Sequence, residues 1–143
     1  MKNNRITRLL LPALTVLLLV LELLPYGVVL RFAQPEGDVI LQTYSYFDLT
    51  PWGYATFTPL LTALLSVALL VMTLIALFRR NAHKLNSSII AVSLPAAVLS
   101  LMPVLTGTFT AVAAAVTACL LLIGGLSLIN RAKNKENGYG TDG

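Results

Sequence analysis

The chain has one cysteine, one histidine and few charges of either sign, with 11% of its residues charged. Soluble domains of this size carry roughly a quarter charged residues, so a water-solvated globule is excluded. A single cysteine allows no internal disulfide. Cys119 lies within an apolar run, where it reads as a small packing residue. The sole histidine sits in the connector Arg79-Arg80-Asn81-Ala82-His83-Lys84 with no second ligand near it, which argues against a metal site and a Ser/His/Asp set. The chain holds no P-loop, nucleophile elbow, HExxH or dinucleotide-type glycine motif. It is therefore not expected to be an enzyme, and no cofactor is implied.

What the sequence does have is hydrophobic length. It is 57% hydrophobic over 143 residues, and its charges cluster between apolar runs of about the 20 residues a helix needs to cross a bilayer. The expected fold class is all-α: an integral membrane four-helix bundle with a long aromatic outer loop between helices 1 and 2. The spans are expected at about 9–30, 59–78, 89–105 and 109–129, after a cytoplasmic N-terminus of residues 1–8. Residues 31–58 form the outer loop, and 131–143 a disordered cytoplasmic tail. The first run resembles a signal peptide in its Lys2, Arg5 and Arg8, but it is too long and no small-residue cleavage site follows it, so it reads as an uncleaved helix.

Local signals refine this layout. Pro35-Glu36-Gly37-Asp38 is a turn, and Val39–Phe47 reads as one short strand or an extended segment with no evident partner. Thr50-Pro51 and Thr58-Pro59 each pair an N-cap with proline at the first helical position. Asn86-Ser87-Ser88 is expected to cap the third span, Pro95 to kink it, and Thr106-Gly107-Thr108 to form a tight turn.

Basic residues fall in three clusters: Lys2, Arg5 and Arg8; Arg79, Arg80 and Lys84; Arg131, Lys133 and Lys135. Four spans bring all three to one face, leaving only Arg31 opposite. Because basic loops stay inside, both termini are expected in the cytoplasm of a multi-pass cell-membrane protein. The net charge of +4 is thus a matter of topology, and no nucleic-acid partner is implied. The aromatics collect near the opposite face, where rings favour the membrane–water interface. Tyr44, Tyr46, Asp48, Trp52 and Tyr54 form a candidate outer surface, either an anchoring belt or a binding surface.

Small and polar residues recur in stripes: Thr15, Glu22 and Tyr26; Thr62, Ser66 and Thr73; Ser93, Ala97, Ser100 and Pro103; Thr110, Ala114, Thr117 and Gly124. Such stripes mark helix contacts in lipid. Glu22 is the only charged residue within an expected span, roughly 21 Å along the helix from Arg8. Glu22, Pro25 and Tyr26 form the candidate intramembrane site. Pro25 would free a carbonyl near Leu21. Two accommodations of the carboxyl stay open: a structural one, by protonation or by hydroxyls on neighbouring helices, and a wet pocket that serves a proton, cation or cationic ligand.

The stretches LELLPYGVVLRF and YSYFDLTPWGYATFTPLLTALL resemble an uncharacterised family of small four-span membrane proteins of Gram-positive-type bacteria. That resemblance implies the four-span architecture and a plasma-membrane location, and no activity. Small multidrug resistance transporters also have four spans and one acid in the first. The long connector and one-sided charge bias of this chain depart from their pattern. Two readings stay open. The chain is a non-catalytic accessory or interaction module, with the lipid bilayer and a membrane-protein partner or homo-oligomer as its partners. Alternatively, it is a small oligomeric transporter or ion-conducting protein using Glu22.

Overall fold

A computed structural model describes residues 2–35, 37–53, 56–78, 83–105 and 107–139. In chain order it comprises α1 (Lys2–Leu23), β1 (Val28–Ala33), β2 (Val39–Tyr44), α2 (Thr50–Gly53), α3 (Thr58–Phe78), α4 (His83–Leu105) and α5 (Ala111–Tyr139). The four long helices run alternately up and down. α1 and α4 each pack against both α3 and α5. The termini fall at one end of the bundle and the β1–β2 hairpin at the other.

Three helical segments, Thr58–Phe78, Leu85–Leu105 and Ala111–Lys133, are long and apolar enough to cross a membrane. The apolar part of α1 is shorter, Leu9–Leu23, about 22 Å at 1.5 Å per residue. The helix thus ends at Leu23, short of the expected 30, and begins at Lys2, within the expected N-terminal segment of residues 1–8. The helix stops because Pro25 has no N–H for the Leu21 carbonyl and disfavours helical geometry at Leu24. Leu24 N–H instead closes a tight turn onto Leu21 O at 3.2 Å.

The β-branched residues beyond the turn pair with the segment expected to lack a partner. β1 and β2 are antiparallel, with Val28 opposite Tyr44 and Ala33 opposite Val39. The long aromatic loop is therefore a hairpin followed by one turn of helix. The 35–38 turn closes it: Gln34 N–H donates to Asp38 O at 2.9 Å, and Gly37 takes the left-handed conformation at φ 91°. Gly107, at φ 66°, plays the same part between α4 and α5.

Two further boundaries differ from expectation. α4 starts at His83, ahead of Asn86-Ser87-Ser88, and runs through both Pro95 and Pro103. α5 continues through Tyr139 in place of a disordered tail. Once a helix is nucleated, residues such as Arg131, Ala132, Lys133, Lys135 and Glu136 extend it at little cost.

The interior is lined by the stripes. Thr15 and Thr73 hydroxyls lie 3.1 Å apart, and seven residues on along α1 and seven back along α3 Glu22 meets Ser66. Across α4 and α5, Ser100 and Thr117 hydroxyls lie 2.7 Å apart. Seven residues along, Gly124 faces Ser93, where an added Cβ would come within 3.0 Å of its hydroxyl. Two members depart from the expected stripes: Ala114 is exposed and Ala113 buried in its place, and Tyr26 is 61% exposed. The outward surface is leucine, valine and isoleucine on every long helix.

Candidate functional site

The site is the junction of α1, the segment after β2, and α3. Glu22 is the penultimate residue of α1 and is 0% exposed. Ser66, a buried residue of α3, donates its hydroxyl to Glu22 Oε1 at 2.6 Å. The same hydroxyl reaches Thr62 O at 3.0 Å. Glu22 Oε2 is buried with no hydrogen-bond partner. Above it lies Tyr46, 1% exposed, whose backbone N–H donates to the Glu22 carbonyl at 3.0 Å. Tyr46 Oη is also buried without a partner. Burial and the nearby Glu22 carboxylate both push the Tyr46 phenol above its ordinary range.

The backbone turn after α1 makes this approach possible. A Cβ at Gly27 would stand 2.6 and 2.7 Å from Tyr46 Cδ2 and Cε2, so only glycine leaves room for the ring. The base of the hairpin is tied on every side. Gly27 N–H donates to Tyr44 O at 3.1 Å, and Gly27 O accepts from Thr110 Oγ1 at 3.1 Å. Thr110 Oγ1 in turn caps α5 by accepting from Ala113 N–H. Arg31 Nη2 donates to Gly107 O at 3.0 Å.

Of the residues singled out from sequence, Glu22 is brought into a site and its two neighbours are not. Pro25 and Tyr26 are exposed on the turn beyond the helix. Tyr26 would share the Glu22 face only if the helix continued three residues further. The Leu21 carbonyl is occupied by Leu24. The aromatic surface divides likewise. Tyr46 turns inward, whereas half-buried Tyr44 donates to Gln42 Oε1 at 2.6 Å. Asp48 Oδ1 accepts from Thr50 N–H at 2.8 Å and caps α2, and bonds from Thr50 hold its carboxyl below the usual carboxylate range. Trp52 falls on α2, but its side chain lies outside the described residues, as does all of Tyr54.

Ser66 and Tyr46 are the site residues that sequence reasoning did not join to Glu22. Ser66 carried a signal, since it belongs to a stripe with the same seven-residue spacing. Tyr46 carried none, because its place depends on the hairpin. A recess of about 450 Å³ lies beside the hairpin, lined by residues including Val28, Leu30, Arg31, Phe57, Pro59 and Met102. Glu22, Ser66 and Tyr46 do not line it. Among the described residues no three His, Cys, Asp or Glu side chains are grouped to hold a metal. Comparison with protein-family models, curated proteins and solved structures finds no match to this chain.

Proposed function

We propose that the chain is a multi-pass cell-membrane protein that crosses the bilayer four times and acts as a non-catalytic interaction module. Membrane residence is supported by the inverted polarity of the bundle. Hydroxyls and a carboxyl face inward while leucines cover the outside, the reverse of a water-solvated domain. α1 is short for a span, and local bilayer thinning accommodates it at little cost. The one-sided basic clusters support an orientation with both termini in the cytoplasm and the hairpin outside.

The observation that carries the interaction reading is the hairpin. Its base is fixed to the bundle, yet β2 is solvent-exposed along Val39, Ile40 and Leu41, at 58%, 42% and 61%. A two-stranded ribbon with a free apolar edge is marginal by itself and is completed by another chain's strand. The partner is the outer segment of a larger membrane protein. A photo-crosslinker at Leu41 should yield one discrete heavier adduct in native membranes, weakened by a neighbouring Val39→Lys change. An adduct of twice the chain mass would mean a homo-oligomer instead. The absence of any adduct from positions 39, 40 and 41 would refute the reading.

A second reading, a small oligomeric transporter using Glu22, is favoured by the buried Oε2 with no partner. Proton and cation flux in proteoliposomes, compared between wild type and Glu22→Gln, tests it. Equal flux in both proteins, or none in either, would exclude it.

A further inference from the structure

We propose that Glu22, Ser66 and Tyr46 form a binding site for one monovalent alkali cation, sodium above all, which pins the hairpin to α1 and α3. The proposal deepens the Glu22 reading but does not require that the ion cross the membrane.

Two independent observations converge. The Glu22 carboxylate is enclosed, with one oxygen held by Ser66 and the other without a partner. The Tyr46 hydroxyl, on a side chain 1% exposed, is also buried without a partner. Tyr46 N–H bonds the Glu22 carbonyl at 3.0 Å, so the two residues meet at one junction, yet their side-chain oxygens do not hydrogen-bond to each other. Buried polar atoms ordinarily find partners, so two orphans on residues that meet at one junction require a common explanation. A proton on Oε2 would cancel the charge and leave the phenol oxygen as it stands. A cation between them meets both.

The donor set selects the class of ion. Carboxylate, hydroxyl and phenol are hard oxygen ligands, which exclude the soft thiophilic metals. One carboxylate supplies one negative charge. Calcium takes six to eight oxygens, commonly with several carboxylates, and magnesium usually keeps several waters. A single buried charge with neutral oxygens suits an ion of charge one.

The position gives such an ion a consequence. Tyr46 lies two residues beyond β2 and joins Glu22 through its backbone N–H, with its ring packed against Gly27. An ion held by its hydroxyl would therefore tie the hairpin, α1 and α3 at one point. Occupancy would set how firmly the β2 edge is presented.

The test uses the full chain in mild detergent. Thermal unfolding is followed in sodium chloride against choline chloride at equal ionic strength, and binding by equilibrium dialysis with radioactive sodium. One ion per chain is expected, with saturable stabilisation that raises the folding equilibrium constant about 100-fold at a hundred times Kd. Glu22→Gln should abolish both effects. Tyr46→Phe, which keeps the ring, should weaken sodium binding while the protein still folds. No bound sodium in the wild type, or identical unfolding in sodium and choline, would overturn the proposal. Stabilisation that follows pH and ignores sodium would also overturn it and identify a protonation site. The proteoliposome flux comparison is separate: sodium bound without flux would retain the site and remove the transport reading.

Discussion

Replacing Gly27 by alanine tests the central packing argument, because two opposed effects can be separated there. The added Cβ would stand 2.6 Å from Tyr46 Cδ2 and 2.7 Å from Cε2. The ring cannot swing aside, since Tyr46 is 1% exposed and its backbone is bonded to Glu22. Overpacking of this kind costs about 1–3 kcal/mol. Gly27 is not among the positive-φ glycines, so alanine also restricts the unfolded chain and contributes about 0.4–1 kcal/mol of stability. The net expectation is a loss of roughly 0–2.6 kcal/mol from those two ranges. In a Tyr46→Ala background the steric conflict disappears and the entropic gain remains. There Gly27→Ala should be neutral or stabilising. The assay is reversible unfolding in mixed micelles by titrated denaturing detergent, run as a double-mutant cycle. An equal loss in both backgrounds would refute the close approach of ring and backbone.

Other predictions follow the same contacts. Ser66→Ala removes the one hydrogen bond to the Glu22 carboxyl and should cost about 1.5–3 kcal/mol if that group is charged; the same unfolding assay reads it, and a loss below about 0.5 kcal/mol would show the bond to be dispensable. The Ser100–Thr117 hydroxyl pair should show a coupling of about 0.6 kcal/mol, and no more than about 1.7, in a double-alanine cycle. Gly124→Leu should force α4 and α5 apart at Ser93, seen as a lower unfolding midpoint, whereas Gly124→Ala needs only a small shift of that hydroxyl. Asp48→Ala should speed hydrogen exchange at the Thr50 amide. The lowered Asp48 pKa means its contribution is complete above the ordinary carboxylate pKa and lost as pH falls through the lowered value, so protection at Thr50 in the wild type should drop on strong acidification.

The inward stripes show what could be read in advance. Seven-residue spacing in separate helices allows contacts at matching levels whichever way the helices run, and Glu22–Ser66 with Thr15–Thr73 realises one such register, the antiparallel one. α3 opens at Thr58-Pro59, one residue earlier than an N-cap at Thr58 would put it, since Leu61 N–H already bonds Phe57 O. The 35–38 turn and Gly107 lie where proline and glycine put them. Tyr26 shows where this reasoning runs out. Helical spacing carried it onto the Glu22 face, but the periodicity holds only while the helix continues, and the helix ends at Leu23.

Local chemistry in the sequence thus determined the four long hydrophobic helices, their polar inner faces, the clustering of basic residues and the breaks at proline and glycine. These depend on neighbours within a few residues. Tertiary structure alone decided that Val28–Ala33 would leave the first apolar run to pair with Val39–Tyr44, because strand pairing depends on a distant partner. It likewise decided that Tyr46 and not Tyr26 would cover Glu22. A buried carboxyl takes its partners from whatever the fold brings within reach, and here those partners lie 24 and 44 residues along the chain, at Tyr46 and Ser66.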